Sequence, residues 1–288
     1  MYPIILTQGK FLHKDSLTFP MEERGLQFGD GVYEVIRLYK GKPYLLDEHI
    51  ERLYRSLQAI RIQIHYTHDE MVAMLRDLIQ RNEIDKDGII YLQITRGSAP
   101  RLHVFPENTT PNLYAYAKKQ PRYTHFLENG VKAITLADER WDNCYIKSLN
   151  LLPNVLAKQT AAELEAYEAI LHRDGIVTEC SSSNLFLVKN GTIYTHPAEK
   201  RILNGCVRMA VKRLAEKLSL PFIEEAFTLD DIVSADELFL TSSISEVMPI
   251  VQVNDKQVAS GMPGKITRQL QQAYEEDAKL TLQKVSSP

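Results

Sequence analysis

Hydrophobic and polar residues alternate over Val32–Tyr39, the period-two pattern of a strand. Val32, Glu34, Ile36 and Leu38 fall on one face and Tyr33, Val35, Arg37 and Tyr39 on the other. Each face carries one charged residue among apolar ones, so Glu34 needs a partner if its face is buried. A helical period follows: Ile50, Leu53, Leu57 and Ile60 form one stripe of a helix from Asp47, its expected N-cap, to about Ile60. Glu48/Arg52 and Glu51/Arg55 stand four apart, which locally reads Arg52 as a solvated surface cation. Thr67-His-Asp-Glu70 is a capping box that opens a second helix to about Asn82, with Val72, Leu75, Leu78 and Ile79 inward. Further strands are expected at 2–8 and 11–13 around Gly9-Lys10, at Ile89–Thr95 and at Asn112–Ala117. The glycine-rich stretch Glu22–Gly31 reads as a turn.

Lys118–Arg122 is polar, contains a proline and is the best linker. The expected division is residues 1–118, a linker 119–124, and residues 125–288. In the second half the patterns predict a strand at Val131–Leu136 and a helix from Pro153 to about His172, rich in alanine. A strand at Ile176–Cys180 follows, then a hairpin of Leu185–Val188 and Thr192–Thr195 across Asn190-Gly191. A helix through about Leu218, a short capped helix from Thr228, a strand at Glu237–Leu240, a hairpin near Asn254-Asp255 and a helix from about Pro263 complete the chain. This grouping of elements is α+β.

The 288 residues suit two domains, and 44% apolar with 25% charged residues is ordinary for a soluble enzyme. A net charge of -3 gives no case for nucleic acid or anionic membrane. No apolar run approaches the ~18 residues of a membrane span, and the start lacks the pattern of a signal peptide. Three separated cysteines, Cys144, Cys180 and Cys206, argue against a disulfide framework and for a reducing cytoplasm. The histidines show no metal-ligand spacing, so no metal site is expected.

Lys147 sits among Ile146, Leu149, Leu151 and Leu152. An apolar setting disfavours the ammonium and makes the amine available to a carbonyl. Two loops could bind an anion: Asn204-Gly-Cys-Val207, which opens a helix, and Thr241-Ser-Ser, which follows a strand. Neither is a P-loop, and no dinucleotide fingerprint follows a strand. Glu179, at a strand end beside Ser181–Ser183, could accept a hydrogen bond from a protonated pyridine nitrogen and keep the ring cationic.

Arg24-Gly-Leu-Gln-Phe-Gly-Asp-Gly-Val-Tyr-Glu34, His49-Ile-Glu-Arg-Leu-Tyr-Arg-Ser56, Lys147-Ser-Leu-Asn150, Tyr167-Glu-Ala-Ile-Leu171, Thr178-Glu-Cys-Ser-Ser-Ser-Asn184 and Leu203-Asn-Gly205 occur in that order. Together they resemble the fold-type-IV pyridoxal phosphate enzymes, from about Gly9 to Gln272. The family implies a smaller N-terminal α/β domain, a larger C-terminal pseudo-barrel domain, pyridoxal 5'-phosphate and a homodimer. Arg96-Gly-Ser-Ala-Pro-Arg-Leu-His103 resembles the loop of its D-amino acid aminotransferase branch, which implies transamination between a D-amino acid and a 2-oxo acid such as 2-oxoglutarate.

By that resemblance Lys147 is the Schiff-base lysine and proton carrier, Glu179 the ring-nitrogen partner and Arg52 the phosphate arginine. Cys206 and Val207 give backbone N–H groups and Ser243 a hydroxyl to the phosphate. Ser182 stands behind the ring with Glu34 near it, and Leu203 packs on the ring. Tyr33, Arg101 and His103 hold the substrate carboxylate, the last two from the partner subunit, and Tyr91 lines the pocket. Val207 and Ile244 replace hydroxyl residues of the branch, and losing one hydroxyl contact should weaken cofactor retention by about 1 kcal/mol. An L-branched-chain aminotransferase, an aminodeoxychorismate lyase and a silent dimeric binding protein remain as rival expectations.

Overall fold

A computed structural model describes residues 1–284. The chain divides into two compact units. One comprises residues Met1–Pro121 with Ile146–Asn150, and the other Arg122–Tyr145 with Leu151 onward. The segment holding Lys147, expected with the second half, therefore packs with the first. The cause is pairing: Tyr33 N–H donates to the Lys147 carbonyl at 3.0 Å, Leu149 N–H to the Gly31 carbonyl at 3.0 Å, and Ser148 bridges Val32.

The first unit is built from β1 (Ile4–Thr7), β2 (Lys10–His13), α1 (Arg24–Phe28), β3 (Gly31–Tyr39), β4 (Lys42–Pro43), α2 (Leu46–Ala59), α3 (His68–Arg81), β5 (Gly88–Thr95) and β6 (Asn112–Lys119). Its sheet runs β2-β1-β6-β5-β3-β4, antiparallel at every pairing. Val32, Ile36 and Leu38 of β3 pack with Ile90, Leu92 and Ile94 of β5 against Ile50, Leu53 and Leu57 of α2 and Leu75 and Leu78 of α3. Each such side chain buried contributes roughly 1.5–3 kcal/mol. Glu34 lies in the same inward row of β3 and is fully buried. The opposite sheet face carries a tyrosine stack, Tyr33 on Tyr91 at 5.9 Å and Tyr91 on Tyr116 at 5.3 Å.

Two local expectations change here. α2 begins at Leu46 after Leu45 in the left-handed region, with no side-chain cap, so Asp47 is not its N-cap but an acid in its first turn. There it still favours the positive end of the helix. The glycine-rich stretch holds a short helix, α1, capped by Glu23 and ended by Gly29 at φ 65°. α3 has the expected capping box.

The second unit holds α4 (Thr124–Asn129), β7 (Val131–Ala137), α5 (Leu152–Glu163), β8 (Glu168–Arg173), β9 (Ile176–Cys180), β10 (Asn184–Lys189), β11 (Thr192–Thr195), α6 (Cys206–Lys217), β12 (Phe222–Glu224), α7 (Leu229–Val233), β13 (Glu237–Ser242), β14 (Glu246–Val253), β15 (Lys256–Gln257) and α8 (Lys265–Lys284). Its sheet is mixed, in the order β12-β11-β10-β13-β14-β7-β8-β9, with β15 on β14. β9 is at one edge, yet only residues 181–183 join it to β10, five places away. A flat sheet would separate the two by about 24 Å, whereas that link reaches about 14 Å. The sheet therefore curls, as the pseudo-barrel expectation requires.

The helix expected from Pro153 to His172 stops at Glu163. Glu165 adopts φ 54°, and Glu168–Arg173 becomes the strand β8, one in from the edge, parallel to β7 and antiparallel to β9. Its alanine-rich approach suits a helix, but Ala169, Ile170 and Leu171 are all buried. A run buried on both faces is what an interior strand presents. Lys118 and Lys119, expected in the linker, finish β6 opposite Ile89 and Gly88. Arg122 is fixed by Glu246 and Glu275 at 2.6 and 2.7 Å. No helix among the described residues is long and apolar enough to cross a membrane.

Candidate active site

Within the first unit, Lys147 is half-buried, and its Nζ lies 4.2 Å from the centroid of the Tyr33 ring. Its amide donates to Ser56 Oγ at 3.2 Å, so both edges of its backbone are fixed. The apolar surround is thinner than the sequence implies: Ile146 is buried, but Leu152 belongs to the other unit and is exposed. Tyr33 and Tyr91 share the stacked sheet face, and Tyr91 Oη donates to Gln93 Oε1 at 2.9 Å. Burial first, then Tyr33 and Tyr116, push the Tyr91 hydroxyl pKa well up. Tyr91 also lines a groove of about 400 Å³ with Phe19, Leu26, Tyr114 and Tyr116.

Arg52 is not a surface cation. Its Nε and Nη2 donate to Glu34 Oε1 and Oε2, both at 2.8 Å, and His49 Nδ1 lies 2.7 Å from Oε2. Burial alone would raise the Glu34 carboxyl, but the charges and hydrogen bonds of Arg52 and His49 outweigh it and hold the group well below the usual carboxylate range. The alternation of β3 announced that Glu34 needed a partner. Glu48, four positions from Arg52, hid which one.

Arg101 and His103 are exposed on the loop between β5 and β6. The Phe28 ring orders both, with the Arg101 guanidinium 4.9 Å from its centroid and the His103 ring 5.4 Å away. Arg24 stacks on the same ring at 4.7 Å and donates to the Leu102 carbonyl at 2.7 Å. Asp30 ties the loop base by accepting from Arg24 Nε and Arg96 Nε, both at 2.8 Å.

In the second unit Glu179 is buried and held by three donors. Oε1 accepts from Arg140 Nη1 at 2.6 Å and Leu203 N–H at 3.1 Å, and Oε2 from Asn184 Nδ2 at 2.9 Å. Burial raises its pKa, and Arg140 only partly offsets this, so the net direction is up. Asn184 also donates to the Leu203 carbonyl at 2.7 Å. A Cβ on Gly205 would meet Asn184 Oδ1 at 2.2 Å, so that loop can close on Asn184 only with glycine.

Cys206 and Val207 are the buried first residues of α6, whose N-cap Gly205 makes no side-chain hydrogen bond. Ser243 is half-buried in the turn between β13 and β14, and Thr241 Oγ1 beside it is buried with no hydrogen-bond partner among the described residues. The Ser182 hydroxyl donates to Glu168 Oε2 at 2.7 Å, and Ser183 joins the same oxygen at 3.0 Å. Ser181 donates to Glu168 Oε1.

Arg140, Asp138, Asn184 and Glu168 are the residues that sequence reasoning missed. Asn184 stood in a quoted motif without a role. Glu168 was hidden by the helix expected there, although three consecutive serines signal a nearby acceptor. Arg140 and Asp138 carry no local signal.

Residues 31–253 match the family model for class IV amino-transferases. The chain is 45% identical over 271 residues to a D-alanine aminotransferase of Bacillus licheniformis, covering 94% of this chain and 95% of that one. It is 46% identical over 272 residues to the D-alanine aminotransferase of Staphylococcus epidermidis, covering 94% and 96%. Among solved structures, the Escherichia coli branched-chain amino acid aminotransferase superposes with a TM-score of 0.90 at 25% identity, covering 96% of this chain and 94% of that one. The branched-chain amino acid aminotransferase of T.th., solved with pyridoxamine 5'-phosphate, gives 0.88 at 25%, covering 97% and 95%. The chain belongs to the class IV aminotransferases.

Proposed function

We propose that this chain is a D-amino acid aminotransferase dependent on pyridoxal 5'-phosphate, converting D-alanine and 2-oxoglutarate to pyruvate and D-glutamate. The observation that carries the D-specificity is near-full-length identity of 45–46% to D-alanine aminotransferases. The branched-chain neighbours share the fold at lower identity.

Three observations support the fit to the cofactor. Glu179 is a buried carboxylate with a raised pKa, suited to a cationic partner. α6 begins at Cys206 after Gly205 with no side-chain cap, and the positive end of a helix favours an anion. Thr241 Oγ1, at the end of β13, is a buried hydroxyl without a partner among the described residues. When bound, pyridoxal phosphate supplies the carbonyl that takes the amino group and a ring that withdraws electrons from the substrate α-carbon.

The protein's part is binding and proton transfer. Lys147 Nζ would anchor the cofactor and serve as the base that takes and returns the α-proton. Glu179 would accept a hydrogen bond from the ring nitrogen and keep it protonated. Arg52, the amides of Cys206 and Val207, and Ser243 would hold the phosphate. Leu203 would pack on the ring, with Ser182 behind it. Tyr33, Arg101 and His103 hold the substrate carboxylate, with Tyr91 lining the pocket, so that the hydrogen of the D-isomer faces Lys147.

Arg101 and His103 are exposed on an ordered loop, which supports a homodimer in which each loop serves the partner's site. Mixing Arg101→Ala with Lys147→Ala protein should restore activity through hybrid dimers if the loop acts in trans, and should restore none if it acts in cis. Three free thiols support a cytoplasmic location. The deciding experiment adds D-alanine, then L-alanine, to holoenzyme and follows the cofactor absorbance. Conversion to the pyridoxamine form by the D-isomer alone is the expected result. Conversion by L-alanine or L-leucine alone would overturn the reading in favour of the branched-chain one.

A further inference from the structure

Asp138 and Arg140 have no part in the roles above, yet both are buried beside Glu179. Arg140 Nε and Nη2 grip Asp138 Oδ1 and Oδ2, each at 2.9 Å, while Nη1 reaches Glu179 Oε1 at 2.6 Å. One guanidinium therefore serves two carboxylates. Asp138 also accepts from the Arg140 amide at 3.1 Å and Thr178 Oγ1 at 2.9 Å, and lies 3.4 Å from Arg173 Nε. The charged groups facing Glu179 are thus Arg140, Asp138 and, beyond Asp138, Arg173. The thiols of Cys144 and Cys180 are pushed up by burial and are neutral near pH 7.

A guanidinium paired with Glu179 alone would neutralise it and weaken its hold on a second cation. Shared with Asp138, it neutralises Glu179 only in part. The hydrogen bonds also distinguish the two oxygens. Oε1 receives two donors and Oε2 one, so Oε2 keeps the more open lone pair.

We propose that Asp138, acting through Arg140, is a positioning residue that sets the basicity of Glu179 Oε2 and so its grip on the proton at the cofactor's ring nitrogen. The inference rests on Glu179 being the ring-nitrogen partner. Asp138→Asn keeps acceptors for Arg140 and Thr178 but removes the charge. Arg140 then neutralises Glu179 more fully, and the ring nitrogen should lose its proton at lower pH.

The test uses holoenzyme carrying Asp138→Asn, Asp138→Glu or Glu179→Gln beside wild type. It measures kcat against pH and, without turnover, the pH titration of the cofactor absorbance. Asp138→Asn should move the alkaline limb of both about one pH unit lower and reduce kcat about tenfold above the limb, and Asp138→Glu should return it toward wild type. A uniform loss of kcat with the limb unmoved overturns the proposal, because a merely structural role predicts that result. Wild-type behaviour of Asp138→Asn beside an impaired Glu179→Gln also overturns it. Wild-type behaviour of Glu179→Gln removes the underlying reading, and the proposal falls with it. If Asp138→Asn fails to fold, Thr178→Val serves instead. It deletes one donor to Asp138, strengthens the Asp138–Arg140 pair and should move the limb slightly higher; an unmoved limb there overturns the proposal.

Discussion

Replacing Glu34 by glutamine tests whether its buried cluster is a determinant of the first unit. The carboxylate accepts three hydrogen bonds, two from Arg52 at 2.8 Å and one from His49 at 2.7 Å. Glutamine has nearly the same shape but offers one oxygen and one NH2. Whichever way the amide turns, at least one guanidinium N–H then meets a donor, and Arg52 loses its counter-charge. Breaking a buried pair by removing one partner costs about 3–5 kcal/mol. With a urea m-value of about 1–3 kcal/mol/M, the first unit's midpoint should fall by about 1 M or more. Urea unfolding followed by circular dichroism reads this directly.

The pH dependence supplies an independent check. A carboxyl depressed on folding contributes stability that is present above its unfolded pKa, near 4.5. That stability is lost as pH falls toward the depressed folded value. Wild type should therefore lose its advantage over Glu34→Gln as pH drops below about 4. A midpoint within about 0.3 M of wild type at neutral pH, or a gap constant down to pH 3, would refute the argument.

Arg101→Ala removes an exposed side chain, so unfolding should be unchanged while kcat/KM for D-alanine falls by roughly 2–5 kcal/mol in transition-state terms; steady-state kinetics with wild-type values would remove Arg101 from the carboxylate site. Gly205→Ala places a Cβ against Asn184 Oδ1 at 2.2 Å and should displace Asn184 from Glu179, raising the cofactor Kd about tenfold or more by equilibrium dialysis. Ser182→Ala leaves Glu168 with two other serines, so it should cost about 1 kcal/mol of stability and change cofactor affinity little. Trp141 directly follows Arg140, whose guanidinium touches Glu179; its emission should fall on adding pyridoxal phosphate to the apoprotein and recover on removal, and unchanged emission would count against a cofactor at that site.

What could be read from the sequence and what could not separate along one line. Periodicity identified β3 and the apolar faces of α2 and α3 because each pattern is fixed by burial of the element's own side chains. Partners were legible only when close in sequence, as in the Thr67/Glu70 capping box. Arg52 shows the failure: Glu48 offered a local partner, while the real one lies 18 positions away on β3. Glu168 shows a second kind, in which an error of secondary structure became an error about the site. Read as helix, it was one more solvated glutamate. As the first residue of β8 it is buried, and it holds three serine hydroxyls next to the strand that carries Glu179. A polar group buried in a strand is stable only with its partners in place, so the loop after β9 and the start of β8 constrain each other. The motif Thr178–Asn184 therefore carries two kinds of residue. Asn184 fixes the buried carboxylate of Glu179, and the serines fix the turn that joins the two.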